Sequence, residues 1–316
     1  MADRPMDEQI RFDKVVIFGV GLIGGSFALA LRQAGACTSI VGMGRSLQAL
    51  ARALELGIID SIGTSLADAM RGAGLVLIAA PVAQTEAILA ALAPLLEEGT
   101  LVTDAGSTKS DVVAAARRVL GARIKQFVPG HPIAGAESNG PDAASAALYR
   151  GKKAVLTPLP ENRAFDVDRV AAAWAACGAI VHRLTPNEHD KVFAAVSHLP
   201  HLLAFALVDD IARKPHADLL FQYAASGFRD FTRIAASSPE MWRDISLANR
   251  DALLTELDAY QAQLTGLRAL LANADGAALE ALYANARRAR QQWTGAIEAA
   301  ETLCAPSAPR PSDTTE

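Results

Sequence analysis

Short apolar runs alternate with amphipathic stretches through about the first 183 residues of the chain. The runs have the length of strands, and the stretches between them have helical periodicity. The runs are residues 15–18, 40–41, 75–78, 101–103, 124–128, 154–156 and 179–181. Continuous apolar strands separated by helices are typical of a parallel sheet covered on both faces. The pattern therefore predicts an α/β fold with a doubly wound parallel sheet.

From about residue 185 the strand pattern stops and helical periodicity replaces it. Apolar residues then recur at spacings of three and four, as in Leu247, Leu253, Leu254, Leu257, Leu264 and Leu267. We predict a first domain over residues 1–184, an all-helical domain over 185–303, and a proline-rich disordered tail over 304–316. Because these helices lack strong polar faces, we expect the helical domain to form a homodimer.

The composition excludes several functional classes. With 316 residues, of which 51% are hydrophobic and 5% aromatic, the chain is long enough for two domains. A formal net charge of −4 gives no general attraction for nucleic acid or anionic membranes. Three scattered cysteines predict no disulfide framework. We find neither a signal peptide nor an apolar run of roughly 18 residues. We therefore expect a cytoplasmic protein that binds a small molecule, without nucleic-acid or membrane partners.

A glycine-rich motif, Gly19-Val20-Gly21-Leu22-Ile23-Gly24, lies between the first predicted strand and a predicted helix. In dinucleotide-binding folds the first glycine permits a tight turn, the second lets the pyrophosphate approach, and the third allows close packing of helix on strand. The context predicts a Rossmann-like nucleotide site rather than a simple glycine-rich turn. We assign to the cofactor site Gly19, Gly21, Leu22, Ile23, Gly24, Gly44, Arg45, Ser46 and Pro81.

The residues after the second strand bear on the choice of cofactor. A site for NAD usually has an acidic residue about 20 residues beyond the third glycine, whereas this chain has Gly44-Arg45-Ser46. The glycine leaves no carboxylate to repel a 2′-phosphate, and Arg45 and Ser46 could bind one. We therefore expect NADP or NAD, with NADP favoured. The alternative is that Ser46 caps the next helix and Arg45 stacks on the adenine of either cofactor.

A polar segment, Gly106-Ser107-Thr108-Lys109, follows Asp104 at the end of the fourth strand. Ligands of doubly wound folds bind at this edge of the sheet. Ser107 could offer its hydroxyl to the nicotinamide or the substrate. Thr108 and Asp111 also fit a capping box, so helix initiation is an alternative explanation for part of the segment.

His131 follows the next predicted strand. Pro132 favours an extended backbone at His131, so its imidazole is not part of a helix face. Opposite a nicotinamide, an imidazole can accept a proton from an alcohol while the carbon loses hydride. A purely structural histidine is the alternative, and the nucleotide motif favours a general base.

The helical half contains two further groups of polar residues. His189 and Asp190 are followed by His198 and His201, with Pro200 expected to kink or end the helix. Because no third ligand has an obvious spacing, the two later histidines indicate contact with substrate or cofactor rather than a metal site.

Arg229 and Arg233 lie four residues apart, which predicts both guanidinium groups on one helix face. Arginine binds a carboxylate through two parallel hydrogen bonds. A nucleotide-binding domain followed by such a pair indicates redox chemistry on an acidic metabolite.

Together these segments resemble the prephenate and arogenate dehydrogenase family, also called cyclohexadienyl dehydrogenases, of tyrosine biosynthesis. The matching segments are residues 19–26, 104–109, 131–140, 189–201 and 225–245, and residues 228–242 are the most specific. The resemblance implies oxidative decarboxylation with NAD or NADP: hydride leaves ring C4, the ring carboxylate leaves as carbon dioxide, and the ring becomes aromatic. Prephenate would give 4-hydroxyphenylpyruvate, and arogenate would give tyrosine.

The resemblance also implies roles for single residues. His131 would accept the proton of the C4 hydroxyl, Ser107 would orient that hydroxyl and the cofactor, and Arg233 would hold the substrate carboxylate. Glu137, Asp190, Arg229 and Asp230 would form an ionic network at the entrance, unless they are only surface salt bridges. The residues assigned to substrate binding are Arg233, His201, His198, Glu137, Arg229, Asp190 and Trp242. The chain departs from the family in having Ser226 where glycine is commoner, and serine tolerates positive φ poorly.

Two other functions fit parts of the sequence. A β-hydroxyacid dehydrogenase has the same two-domain plan and normally uses a lysine in the helical linker region, where Lys191 is the nearby candidate but lacks a glycine-rich context. A non-catalytic NADP sensor would need neither His131 nor the paired arginines. The sequence therefore favours the prephenate and arogenate dehydrogenases.

Overall fold

The computed structural model describes residues 10–135 and 138–304, with side chains described as far as residue 295. The predicted disordered tail begins at residue 304, but Cys304 is the last residue of a helix, and residues 305–316 lie outside the described residues. The strands are β1 (Phe12–Phe18), β2 (Cys37–Met43), β3 (Ser61–Ile62), β4 (Leu75–Ile78), β5 (Leu101–Asp104), β6 (Gly130–Pro132), β7 (Lys153–Leu156) and β8 (Ile180–Arg183). They form a five-stranded sheet in the order β3-β2-β1-β4-β5 and a three-stranded sheet in the order β6-β7-β8.

The five-stranded sheet is parallel throughout. β1 is central, with β2 on one side and β4 on the other, so the order of strand addition reverses beside β1. At such a reversal the loops after the strands diverge and leave a crevice for a ligand. The predicted Rossmann-like sheet is confirmed.

Helices accompany the sheets and then follow them. Between the strands lie α1 (Leu22–Gln33), α2 (Leu47–Glu55), α3 (Leu66–Met70), α4 (Thr85–Leu92), α5 (Ser110–Leu120) and α6 (Ala164–Ala176). After the last strand come α7 (Pro186–Phe193), α8 (Leu199–Ala212), α9 (Ala217–Gln222), α10 (Ser226–Thr232), α11 (Pro239–Ala248), α12 (Arg250–Ala272) and α13 (Gly276–Cys304). The prediction of an all-helical second part is thus confirmed for the described residues.

Two apolar clusters cover the two faces of the parallel sheet. Because side chains alternate along a strand, Leu75 and Leu77 of β4 belong to one cluster, while Val76 and Ile78 belong to the other. The first cluster includes Trp174 of α6, which is fully buried. Strand β4 is therefore apolar along its whole length, as the sequence pattern indicated.

The second sheet corrects the expectation of one continuous parallel sheet. β6 is antiparallel to β7, and β7 is parallel to β8. The predicted strand at 124–128 is instead a 3₁₀ helix, Gly121–Gln126, followed by an isolated bridge between Phe127 and Val102. The buried side-chain amide of Gln126 donates to Glu97 O at 2.7 Å and Thr100 O at 2.8 Å, so this residue anchors a loop.

Helices α7 and α8 are joined by a π-helical turn, Ala194–His198. The helix therefore continues through Pro200, which lies in the first turn of α8. Of the predicted kink or end at Pro200, the end is wrong. The joined segment Pro186–Ala212 has 27 residues and a mean hydropathy of 1.6 in its most apolar part, enough by length and composition to cross a membrane. This corrects the expectation that no segment is long and apolar enough, although core helices of soluble proteins have the same composition.

Backbone contacts divide the chain into two units, Met1–Glu256 and Leu257–Glu316, with the boundary inside α12. The second unit contains the rest of α12 and all of α13, joined by a turn in which Ala274 has φ +52°. Exposed large apolar residues of this unit are Leu264, Leu271, Tyr283 and Trp293. The division does not test the predicted boundaries at residues 184 and 303, which stay predictions.

Candidate functional site

The glycine motif forms the turn between β1 and α1. Gly19 has φ +89°, and a Cβ there would lie 2.5 Å from Ala79 O. A Cβ on Gly24 would collide with the Gly19 carbonyl, whereas a Cβ on Gly21 would have nothing within 4 Å. The turn is therefore tight on its inner side and open at Gly21, the N-cap of α1. These residues fit the pyrophosphate of a dinucleotide.

The residues predicted to bind the 2′-phosphate of NADP lie after β2. Ser46 Oγ accepts a hydrogen bond from Ala49 N at 3.1 Å and caps α2, as the alternative interpretation expected. Gly44, Arg45 and Ser46 are all exposed, and Pro81 is exposed in the loop after β4. The structure places these four residues at the carboxyl ends of β2 and β4, and leaves the Arg45 guanidinium accessible.

Asp104 joins the loop that carries Ser107 to strand β6, which carries His131. Its carboxylate accepts hydrogen bonds from Gly106 N at 2.9 Å and Gly130 N at 3.0 Å. Lys109, fully buried, forms an ion pair with Asp104 and donates to Gly130 O at 2.7 Å. Because these bonds connect the Ser107 loop to β6, Ser107 and His131 are held at the same edge of the sheets. Sequence reasoning missed Lys109, whose signal was a cation five residues after the polar strand end at Asp104.

The start of α5 is capped by Asp190 of α7. One carboxylate oxygen accepts from Lys109 N at 2.8 Å and the other from Ser110 N at 2.8 Å. The predicted capping box of Thr108 and Asp111 is wrong, because α5 begins at Ser110 without a local side-chain cap. Asp190 thus couples the helical part of the chain to the nucleotide-binding part.

His131 begins a hydrogen-bonded chain of side chains. Its Nδ1 lies 2.8 Å from His189 Nε2, and His189 Nδ1 lies 2.9 Å from Asp190 Oδ1. Phe193 packs against both imidazoles, with ring centroids at 5.0 Å from His131 and 4.5 Å from His189. His189 is fully buried and His131 half-buried. The extended conformation predicted for His131 is confirmed by its position in β6, and its partners were missed.

The local electrostatics keep these imidazoles neutral. Burial lowers the pKa of His131 well below 6.5, and the neighbouring His189, Lys109 and His198 lower that pKa further. Burial also lowers the pKa of His189, although Asp190 opposes the change. Burial alone would raise the pKa of Asp190, but its hydrogen bonds with His189, Ser110 and Lys109 hold that pKa below its usual value.

His198 lies inside the protein at the end of the π-helical turn. Only 1% of the residue is exposed, and burial lowers its pKa to about 4. Asn249 Nδ2 donates to Asp190 O at 2.8 Å and lies 3.1 Å from His198 Nδ1. The imidazole also faces the Ser107 backbone. His198 and Asn249, a residue that sequence reasoning missed, thus lie between the Ser107 loop and the helices.

His201 and Trp242 form a stacked pair at the other end of the site. Their ring centroids are 3.6 Å apart with an interplanar angle of 20°, and His201 Nδ1 donates to Ser197 O at 2.8 Å. Burial lowers the pKa of His201, and the cation of Arg233 lowers it further. Arg233 is exposed, and its charge acts on His201, which stacks on Trp242.

The two arginines do not share one regular helix. Arg229 lies in α10, whereas Arg233 is the C-cap of α10 and begins a 3₁₀ turn, Arg233–Ala236. Arg229 and Asp230 are exposed. Ser226 begins α10, and Ala274 is the one non-glycine residue of the described chain with positive φ, so Ser226 has no unfavourable backbone conformation.

Two predictions about other groups remain. Glu137 lies outside the described residues. Lys191, the candidate of the β-hydroxyacid dehydrogenase alternative, is exposed on α7, whereas His189 and Asp190 beside it are buried. Among residues 10–135 and 138–304, no cluster of three histidine, cysteine or carboxylate side chains is arranged to hold a metal ion.

Known proteins resemble the chain over most of its length. Residues 27–183 match the family model of the prephenate dehydrogenase nucleotide-binding domain, and residues 185–285 match that of the prephenate dehydrogenase dimerization domain. Cyclohexadienyl dehydrogenase of Zymomonas mobilis is 36% identical over 88% of this chain and 95% of its own length. Prephenate dehydrogenase of Bacillus subtilis is 38% identical over 83% of this chain and 71% of its own length.

A solved structure supports the same relationship. Prephenate dehydrogenase from A. aeolicus, in complex with hydroxyphenyl propionate and NAD+, superposes with a TM-score of 0.84 and 38% identity over 90% of this chain and 99% of that chain. Arogenate dehydrogenase of Synechocystis superposes with a TM-score of 0.75 and 29% identity over 89% of this chain and 99% of that chain. The agreement extends through the parallel sheet and the helical part. The chain therefore belongs to the prephenate dehydrogenase family.

Proposed function

We propose that the protein catalyses the oxidative decarboxylation of prephenate, arogenate or both, as a step of tyrosine biosynthesis. The observation that carries the proposal is His131, a half-buried neutral imidazole held at the edge of the sheets beside the Ser107 loop. Membership in the prephenate dehydrogenase family supports the reaction class.

In this proposal, His131 accepts the proton of the C4 hydroxyl. A neutral imidazole has a lone pair for that proton, and burial keeps His131 neutral at physiological pH. Ser107, on the loop that Asp104 ties to His131, orients the same hydroxyl. The bound nicotinamide supplies the hydride acceptor. Loss of the ring carboxylate as carbon dioxide then leaves an aromatic ring, which makes the overall reaction favourable.

Arg233 binds a substrate carboxylate in our proposal. It lies close enough to His201 to lower the pKa of that imidazole, and His201 stacks on Trp242. An arginine whose charge reaches one of two stacked rings is suited to a substrate that carries both a ring and a carboxylate. Because pairing stabilises the ground state as much as the transition state, Arg233 serves binding more than rate.

We further propose that both NADP and NAD are accepted, with NADP preferred. Support comes from Gly44, which offers no carboxylate, and from the exposed guanidinium of Arg45 next to it. Ser46 caps α2, and its hydroxyl can still donate to an incoming phosphate. The matched relative with NAD+ bound supports use of a nicotinamide dinucleotide in general.

A homodimer in the cytoplasm is the proposed state of the enzyme. The match of residues 185–285 to a dimerization domain supports it, as do exposed apolar residues such as Leu247 and Leu254 in this half. Light scattering after size-exclusion chromatography should give twice the chain mass. A monomer at every concentration would contradict this assignment.

The activity is tested by combining the purified protein with prephenate or arogenate and with NAD or NADP. Reduced nicotinamide is followed by its absorbance. We expect turnover in at least one combination, and a higher kcat/KM with NADP than with NAD. Arg45→Ala should reduce that preference while retaining activity with NAD. Absence of signal in all four combinations would overturn the proposed function.

A further inference from the structure

The side chain of His189 connects the proposed base to the start of a helix. Its Nε2 lies 2.8 Å from His131 Nδ1, and its Nδ1 lies 2.9 Å from Asp190 Oδ1. Asp190 in turn accepts hydrogen bonds from the backbone amides of Lys109 and Ser110, both at 2.8 Å. Three elements therefore determine the position of one imidazole: the loop before α5, helix α7 and strand β6.

The donor and acceptor atoms of these hydrogen bonds can be assigned in order, starting from Asp190. An ionised carboxylate only accepts hydrogen bonds, so His189 Nδ1 carries the proton that faces Asp190. His189 is neutral, since burial lowers its pKa, and its Nε2 is then an acceptor. In the part of the chain that the structure describes, the donor hydrogen-bonded to Nε2 is the Nδ1–H of His131. His131 consequently keeps its lone pair on Nε2.

We propose that His189 is a positioning residue, which holds His131 as the Nδ1–H tautomer so that Nε2 accepts the proton of the substrate hydroxyl. The inference rests on the proposed function, in which His131 is the base. His189 itself contacts no reacting atom in this arrangement. The same logic operates where a carboxylate fixes the tautomer of a catalytic histidine.

Burial argues that His189 has this role. The side chain is 0% exposed, and burial of a polar imidazole is unfavourable unless its nitrogens are hydrogen-bonded. Both nitrogens are bonded here, one to Asp190 and one to His131. Phe193 packs on both rings and restricts their rotation, with centroid distances of 5.0 and 4.5 Å. An apolar residue would fill the same space without fixing the His131 proton.

The hydrogen bonds from His131 through His189 to Asp190 also matter after proton transfer. When His131 becomes an imidazolium, its Nδ1–H bond to His189 becomes charge-assisted and therefore stronger. Lys109, buried close by, disfavours that positive charge. The acceptor at His189, polarised by Asp190, offsets part of this repulsion. Loss of His189 should therefore slow the chemical step more than it weakens substrate binding.

The tautomer of His131 is measured directly by nitrogen NMR of the full-length protein labelled at histidine nitrogens, without substrate. The chain has six histidines, and the His131→Asn variant assigns the resonance pair of His131. At a pH where the imidazoles are neutral, we expect a protonated Nδ1 and an unprotonated Nε2 at His131. A protonated Nε2 in the unmodified protein would overturn the proposal.

The variants His189→Leu and His189→Gln separate hydrogen bonding from packing. Leu cannot accept a hydrogen bond, so kcat should fall about 10- to 100-fold, KM should stay within about twofold, and His131 should become a mixture of tautomers. Gln can place an acceptor near the position of Nε2 and should restore the tautomer and much of kcat. His182→Leu makes the same change at an exposed histidine of β8 and should leave kcat unchanged.

The remaining outcomes are also decisive. If His131 keeps the Nδ1–H tautomer in a folded His189→Leu protein, His189 does not position it and the proposal is wrong. If His189→Leu does not fold, the proposal is still tested by the His131 tautomer in the unmodified protein and by the tautomer and kcat of His189→Gln. Because the NMR measurement needs no turnover, inactivity toward prephenate and arogenate would refute the proposed function and leave the tautomer result independent.

Discussion

At the scale of single residues, burial determines which histidines are available as proton acceptors. His131, His189 and His198 all have lowered pKa values, and burial is the main cause for each. The sequence predicted an extended His131 from its strand end and its following proline, and the nucleotide motif favoured this histidine as the base. It could not predict His189 as a partner, because the contact joins residues 58 positions apart and depends on how two elements pack.

The roles of His131 and Arg233 predict different kinetic effects. His131→Asn removes the proposed base, and kcat should fall about 10²- to 10⁴-fold. Arg233→Ala removes a charge-assisted contact that is equally strong in the ground state and in the transition state. KM should therefore rise roughly 10- to 100-fold with little change in kcat. Steady-state kinetics of both variants give the comparison. His182→Asn is the control, and a reversal of the two effects would refute the assigned roles.

The pH dependence of kcat/KM follows from the lowered pKa of His131. The base must be neutral, and its pKa lies well below 6.5, so activity should persist below pH 6.5 and fall only at lower pH. The groups around His131 are His189 of α7, His198 of the π-helical turn, and Lys109 before α5. Asp190 and Asp104 act on His189 behind it.

A pH–rate profile in the presence of saturating cofactor measures that pKa. If kcat/KM already falls with decreasing pH above pH 6.5, the base does not have a pKa lowered by burial. A protein that loses its fold over the same range is identified by circular dichroism at each pH, and only the range in which the spectrum is constant is used.

At the scale of elements, α5 depends on a cap from a distant part of the chain. Sequence patterns detect caps that lie next to the helix, such as the capping box of Thr185 and Glu188 at the start of α7. They cannot detect Asp190, which is about 80 residues from the amides whose hydrogen bonds it accepts. The Thr108 and Asp111 pattern therefore suggested a local cap that the structure does not form.

Removal of this cap should affect both stability and catalysis. Asp190→Ala leaves the Lys109 and Ser110 amides without their acceptor, at a cost of about 1–2 kcal/mol. It also frees His189 Nδ1, so kcat should fall. Thermal melting at a fixed protein concentration and steady-state kinetics measure the two effects.

The control for Asp190 is Ser65, the N-cap of α3, whose Oγ accepts from Asp68 N at 3.1 Å far from the site. Ser65→Ala should lower the melting temperature slightly and leave kcat unchanged. If Asp190→Ala lowers the melting temperature without affecting kcat, Asp190 is a helix cap with no influence on the base.

Elements were predicted well where one local rule was sufficient. β4 is a continuous apolar run, β1 and β5 each contain a shorter one, and the glycine turn after β1 has both its tight and its open side. The π-helical turn at Ala194–His198 has no comparable signal in the sequence, although its last residue, His198, lies in the interior beside Asn249. The second sheet was missed because apolar runs do not specify strand direction or which sheet a strand joins.

At the scale of the whole molecule, the site unites groups from both halves of the sequence. The sheets provide the glycine turn, Ser107 and His131, while the helices provide His189, Asp190, His198 and Arg233. The sequence predicted both sets of elements and most of these residues. It could not predict the hydrogen bonds that connect the sets, because those bonds depend on how the elements pack together.

The buried histidines should make the fold sensitive to acid. His198 has a pKa of about 4 in the folded protein and a value near 6.5 when exposed. The unfolded chain therefore binds its proton first as the pH falls from 6.5 to 4, and this group should contribute up to about 3 kcal/mol of stability above pH 6.5 that is lost over that range. Melting temperatures at a fixed protein concentration and several pH values measure the loss. His198→Gln should reduce the pH dependence, and an unchanged slope would contradict this prediction.

The most direct test of the central claim is the ratio of carbon dioxide released to reduced nicotinamide formed. The purified protein is supplied with prephenate or arogenate and NADP or NAD, and an enzyme-free sample corrects for spontaneous breakdown of the substrate. Oxidative decarboxylation predicts one carbon dioxide for each reduced nicotinamide, with both products lost together in His131→Asn. Reduced nicotinamide without carbon dioxide, or neither product with any pair of substrate and cofactor, would contradict the account.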